Sequence, residues 1–403
     1  MKLTEAQMRR AEAALTFDPR EERRALLDRT AVATADAVTL RRRIAQALGE
    51  GPDASQLAVD RLLTGIDQLN VNFLERGMIA ADAAARVEVR NGESEVIGGA
   101  TGFMISPRLF LTNNHVLPTA DDAAQSWVHF RHEFDAFGNA VESCVFAFDP
   151  SAFFFTDADI DVTVVAVAAE TPDRRQRVVR FGWLRLSASA DTVLPGEWLS
   201  VAHHPGGNPK QVVLRQNLLI RSSEADLWYA TETGSASSGA PVFNDSWQVV
   251  GVHRSGVPSR DRAGRILTVD GAAWADGDDE ARVVWRAGIG TRTSAVLRCL
   301  AETRAEHPLI AELLGQADAD ARDAIVLPLG SGGETASSPH GAEPAVEGSS
   351  DLAPIDRTPQ SNGKNSEDAG GSAQAVTVTV PLRITVRAGN GTGRGPAVGV
   401  NLS

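Results

Sequence analysis

Residues 231–244 read Thr-Glu-Thr-Gly-Ser-Ala-Ser-Ser-Gly-Ala-Pro-Val-Phe-Asn. Ser238 stands before Gly-Ala-Pro, with small residues on both sides and a strand-like Pro-Val-Phe after it. A nucleophilic hydroxyl needs such surroundings, because a substrate backbone must reach it and bulky neighbours would block the approach. Backbone N–H groups beside it must also turn inward to hold an oxyanion. The same composition equally makes a plain Gly/Ser turn between two strands. Two other segments decide between these readings.

Residues 99–106, Gly-Ala-Thr-Gly-Phe-Met-Ile-Ser, and 109–117, Leu-Phe-Leu-Thr-Asn-Asn-His-Val-Leu, read as two short strands joined at Pro107-Arg108. They deliver His115 directly after a buried-looking strand, within a run of hydrogen-bonding side chains. Residues 157–167, Asp-Ala-Asp-Ile-Asp-Val-Thr-Val-Val-Ala-Val, supply a carboxylate at the base of an apolar strand. There it can orient an imidazole and stabilise its charged form. Asp161 is chosen over Asp157 and Asp159, since only after it does the apolar strand run uninterrupted. A solvated or cation-binding carboxylate cluster is the blander alternative for these acids.

The order His115, Asp161, Ser238 is that of the chymotrypsin-like serine proteases and not of subtilisin or the α/β-hydrolases. The segments themselves resemble bacterial trypsin-like peptidases, closest to the V8-like glutamyl endopeptidase group. TGFMISPRLFLTNNHVL resembles their histidine segment, DVTVVAV their aspartate strand and SSGAPVF their serine segment. His204-Pro205-Gly206-Gly207-Asn208-Pro209-Lys210 resembles the family's His-Pro-x-Gly-x-Pro-Lys turn. Residues 249–253 resemble the strand lining the substrate pocket, and 288–296 the closing strand and helix start. The resemblance implies a mainly β fold, a chymotrypsin-like double six-stranded β-barrel over residues 78–305.

It also implies roles. Ser238 would be the nucleophile, His115 the general base and Asp161 its orienting partner. The oxyanion donors would be the backbone N–H groups of Ser238 and Ala236. The family usually has glycine two before the serine, and this chain has Ala236. If that backbone needs a positive φ, alanine costs about 1–2 kcal/mol. A hole left unformed at rest, with low basal activity until a partner or ligand completes it, is then expected; a lost donor costs about 3–4 kcal/mol. In the V8-like group a threonine and a histidine bind a P1 glutamate, and Thr233 and His253 match those positions. Arg254 and Ser255 follow where the family often has an aromatic and a glycine, which puts the acidic preference in doubt. Two other classes stay open: a catalytically weak pseudoprotease or protein-binding module on the same fold, and an esterase.

The 403 residues allow one large two-barrel domain with appendages. The net charge of −13 argues against nucleic-acid binding. The two cysteines, Cys144 and Cys299, lie far apart and outside any nucleophile motif. No P-loop, dinucleotide fingerprint or metal-ligand spacing occurs, so no cofactor and no metal is expected. His203-His204 point to opposite faces of a strand, which suits a turn or core role better than a ligand pair. Residues 1–10 lack the apolar core of a secretory signal, and no stretch has the ~18 apolar residues of a membrane span. The expectation is therefore a cytoplasmic protein with a protein or peptide substrate and no membrane partner.

Residues 1–77 form a helical extension, either a structural collar or a docking element for a regulatory partner. Val59, Leu62, Leu63, Ile66, Leu69 and Phe73 fall on one helical face after a Pro52-Asp53 start. If the domain needs a freed N-terminus, Arg76-Gly77 or Glu75-Arg76 is the expected cut. Residues 306–328 read as a short helix and loop, and 329–374 as a disordered Gly/Ser/Pro-rich linker. In the tail, residues 375–403, Val376, Val378, Val380, Leu382, Ile384 and Val386 alternate with polar residues as one amphipathic strand. Such a strand must pair, with its own barrel or with a partner chain.

Overall fold

The computed structural model describes residues 4–28, 71–189, 192–230, 238–276, 278, 282–317, 325–326, 384–385 and 399–400. The first unit, Met1–Ser337, holds two β-structures. Strands β1 (Ala84–Arg90), β2 (Val96–Met104), β3 (Leu109–Thr112), β4 (Trp127–Phe130), β5 (Cys144–Ala147), β6 (Phe154–Asp157) and β7 (Val162–Ala166) make a seven-stranded sheet in the order β5-β4-β1-β2-β3-β7-β6. It curls on itself, because a bridge from Phe148 to Val167 joins the chain after β5 to the chain after β7. The first barrel is thus closed by one bridge, with β6 as an added strand. All of β3 and β7 is buried, which explains why both are mostly apolar.

The second barrel is closed by its ladders. Its strands are β9 (Trp198–His203), β10 (Gln211–Ser222), β11 (Asp226–Ala230), β12 (Pro241–Phe243), β13 (Val249–Pro258) and β14 (Trp285–Arg292), in the circular order β10-β11-β14-β13-β12-β9. Between β7 and β9 a two-residue strand, β8 (Trp183–Leu184), pairs with β15 (Ile325–Val326). The architecture is mainly β, as the sequence indicates, with two barrel-like β-structures and N-terminal helices.

Helices α1 (Glu5–Ala13) and α2 (Pro19–Asp28) pack on the second barrel. Thr4 and Gln7 form a capping box that starts α1, and Met8 is fully buried. Arg260 binds Glu12 at 2.8 Å, and Arg221 pairs with Glu22 and covers the Phe17 ring at 4.2 Å. Burying Met8 is worth about 2 kcal/mol, whereas half-exposed ion pairs contribute about 0–1, so the apolar contact dominates this docking.

Helix α3 (Asn72–Asp82) crosses the position expected to divide extension from barrel. Its Phe73 ring lies 5.0 Å from Trp247, and a Cβ at Gly77 would stand 2.3 Å from the same indole. The candidate cut at Arg76-Gly77 therefore lies inside a packed helix, with the Arg76 guanidinium donating to the Ser246 carbonyl. The rest of the helical face from Val59 to Leu69 lies outside the described residues. α4 (Ala120–Gln125) lies between β3 and β4, and after the barrels come α5 (Thr293–Arg304) and α6 (Pro308–Gln316). In α6, Ile310 and Leu313 join the main core.

In the second unit, Ser338–Ser403, Ile384–Thr385 (β16) pair with Gly399–Val400 (β17). The linker and the other alternating tail residues lie outside the described residues. Among the described residues, no helix is long and apolar enough to cross a membrane.

Candidate active site

β3 ends at Thr112 and the chain turns through Asn113 and Asn114 into His115. Asn113 holds that turn to the next strand pair, its Nδ2 donating to the Asp161 carbonyl at 2.9 Å. Asn114 Nδ2 donates to Thr156 Oγ1 at 2.7 Å. These two amides are why the run before His115 is polar although its strand is buried.

Asp161 grips His115 twice. Its Oδ2 lies 2.8 Å and its Oδ1 3.0 Å from His115 Nδ1, and Oδ1 also accepts the His115 backbone N–H at 3.0 Å. A carboxylate accepting from Nδ1–H leaves Nε2 as the basic nitrogen. The Asp161 backbone is left-handed, φ 51, a region that aspartate visits more readily than bulkier residues. Two neighbours hold it there. Asp157 Oδ1 accepts N–H from Asp159 at 2.8 Å and from Ile160 at 3.2 Å, and Thr291 of β14 donates its hydroxyl to the Ile160 carbonyl at 2.6 Å. Asp157 is thus the brace of the turn, and Asp161 the acid it presents.

Ser238 arrives from the second barrel, just ahead of β12. Its carbonyl accepts the Thr101 N–H at 2.9 Å, so β2 clips the serine turn directly. Gly239 has φ +85, and a Cβ there would stand 2.0 Å from the Thr101 carbonyl oxygen and 2.4 Å from Thr112 Oγ1. Only glycine supplies both that backbone and that approach. Thr112 donates to the Thr101 carbonyl at 2.7 Å, and the His204 N–H donates to Thr101 Oγ1 at 3.0 Å. The His-Pro-Gly-Gly turn therefore meets the serine turn through Thr101.

His253 lies on β13 beside this turn. Its carbonyl accepts the Gly239 N–H at 2.8 Å and its N–H donates to the Ala240 carbonyl at 2.9 Å. Its Nδ1 is hydrogen-bonded to the Tyr229 hydroxyl. Arg254, next on β13, pairs with Asp226 at 2.8 Å and reaches Thr291 Oγ1 at 3.4 Å. Thr233 and Ala236 lie outside the described residues.

The structure brings His115 and Asp161 into direct contact and binds the Ser238 turn to the strand pair that leads to His115. Sequence reading missed Thr101, Thr112, Thr291 and Tyr229. Single threonines and a tyrosine within strands carry no local signal, although Tyr229 is the chain's one tyrosine. Burial pushes His203 down to about 4 and His204 to about 2, so both rings are neutral. Burial, with Asp157 close by, pushes the Cys299 thiol up to about 11, far from a reactive thiolate.

Residues 100–252, which carry His115, Asp161 and Ser238, match the family model described as a trypsin-like peptidase domain. An uncharacterized protein of Sinorhizobium fredii, y4fB, is 36% identical over 242 residues, 58% of this chain and 36% of that protein. The chain thus spans about a third of the length of that curated relative. Among solved structures, the active form of the Rv3671c protease from M. tuberculosis aligns at 18% identity, over 59% of this chain and 89% of that one, with a TM-score of 0.36. A mutant of Rv3671c in its inactive form aligns at 17% identity, over 60% and 98%, with a TM-score of 0.35.

Proposed function

We propose that the chain is a serine endopeptidase. Ser238 Oγ attacks the peptide carbonyl while His115 Nε2 takes its proton. The carbonyl electron pair moves onto oxygen, held by the backbone N–H groups of Ser238 and Ala236. The C–N bond then breaks, the histidine proton goes to the leaving amine, and water hydrolyses the acyl-serine by the same route. The observation that carries this reading is the two-oxygen hold of Asp161 on His115. That contact is what a general base needs to keep its free nitrogen basic and aimed.

At P1 the reading is an acidic side chain, met by Thr233 and His253. The position of His253 beside Gly239 supports it. Ala236 in place of glycine supports a site whose activity rises when a partner or ligand orders the oxyanion hole.

A fluorophosphonate probe tests the nucleophile. The wild type is expected to label at Ser238, and Ser238→Ala to lose both labelling and peptide cleavage, the latter by about 10⁶-fold. Labelling elsewhere, or cleavage surviving in Ser238→Ala, would overturn the proposal. Fast cleavage by the isolated protein would remove the partner requirement alone.

A further inference from the structure

Tyr229 of β11 is 1% exposed and packs in the core of the second barrel with Leu199, Val201 and Leu219. It stands opposite Gly288 of β14, and His253 of β13 stands opposite Gly290. Opposed residues on an antiparallel ladder share a face, and so do residues two apart on one strand. The phenol, the two glycines and the imidazole therefore line one side of three adjacent strands. A Cβ at Gly288 would meet the Tyr229 ring at 2.4 Å, so glycine is what lets the phenol cross β14. Its hydroxyl ends on His253 Nδ1.

Burial pushes the Tyr229 phenol above its ordinary range, which keeps it a neutral hydroxyl. A phenol O–H donated to Nδ1 leaves the imidazole's own proton on Nε2. A hydroxyl that donates at Nδ1 therefore favours hydrogen on Nε2 of His253.

We propose that Tyr229 is a specificity-positioning residue, fixing His253 as an Nε2–H donor to the carboxylate of an acidic P1 side chain. The proposal rests on the serine peptidase reading with its acidic pocket. If the ring gains a proton from the bound acid, the same hydroxyl turns to accept from Nδ1–H, so the pair serves both charge states. A tyrosine that merely fills the core would affect stability and leave selectivity alone.

The test uses full-length wild type and Tyr229→Phe on two peptides differing only in Glu or Gln at P1. The wild type is expected to favour Glu. In Tyr229→Phe, KM for the Glu peptide should rise about tenfold, with kcat and KM for the Gln peptide unchanged. An undiminished Glu/Gln ratio in the variant overturns the Tyr229 role alone. A wild type that cleaves both peptides equally overturns the acidic pocket and this proposal together. A wild type that neither cleaves nor labels overturns the peptidase reading itself. If Tyr229→Phe fails to fold, ¹⁵N NMR of wild-type His253 decides: an Nε2–H tautomer supports the proposal, and an Nδ1–H tautomer overturns it.

Discussion

Asp161 shows how a single residue joins backbone geometry to chemistry. Its left-handed φ turns the carboxylate back onto both the ring and the backbone N–H of His115. Asparagine tolerates the same backbone, so Asp161→Asn should fold normally. Its amide can donate to Nδ1, which fixes the wrong tautomer. Turnover should fall about ten-thousandfold at unchanged melting temperature, measured by peptide cleavage and thermal unfolding. Gly239 gives the opposite case, where geometry allows no side chain. Gly239→Ala meets the Thr101 carbonyl and Thr112 hydroxyl and must adopt a positive φ. It should lose at least about 1–2 kcal/mol of stability and, because the Ser238–Thr101 clip must shift, most probe labelling as well. An alanine variant that melts and labels like wild type would contradict this account.

Among the elements, those that reached the sequence as local pattern were the legible ones. β3, β7 and β12 sit where their mostly apolar stretches indicated, because buried strands favour apolar residues, and β13 and β14 sit where the resemblance placed them. His115 and Asp161 were readable because each stands at the end of such a run. What ties them together was not readable. Thr291 lies 131 positions from Ile160, and the hydrogen bond between them exists only after both barrels close. The N-terminal helices show the same limit: composition indicated helix, while the face they cover follows from Met8, Arg260 and Arg221 meeting the second barrel. If apolar burial rather than charge holds α1, the two kinds of substitution should differ sharply. Met8→Ala is expected to cost about 2–4 kcal/mol in urea unfolding, and Glu12→Gln less than about 1 kcal/mol. Equal costs would show that the Arg260 pair carries the docking.

For the molecule as a whole, acid should weaken the fold before it titrates any surface carboxylate. His203 closes β9, and His204 opens the turn bound to Thr101, and both rings are buried. Burial holds His203 at about 4 and His204 at about 2, against about 6.5 in an unfolded chain. Their folded values are depressed, so between about pH 6.5 and 4 the unfolded chain binds protons that the folded chain excludes. Stability must then fall as pH drops through that window, by about 1.4 kcal/mol per pH unit for each ring within it. His129 on β4, pushed down to about 4 mainly by burial, acts in the same direction. Asp82 opposes them, since burial raises its carboxyl and its contribution is lost as pH rises; His132, lowered mainly by burial, adds to the histidines. Urea unfolding at pH 7 and pH 5 measures the balance. The midpoint is expected to drop clearly at pH 5, and His204→Gln, whose side chain does not titrate, should flatten the slope by about one ring's share. Midpoints that stay equal across the two pH values would mean that these histidines take up protons without unfolding the seam they occupy.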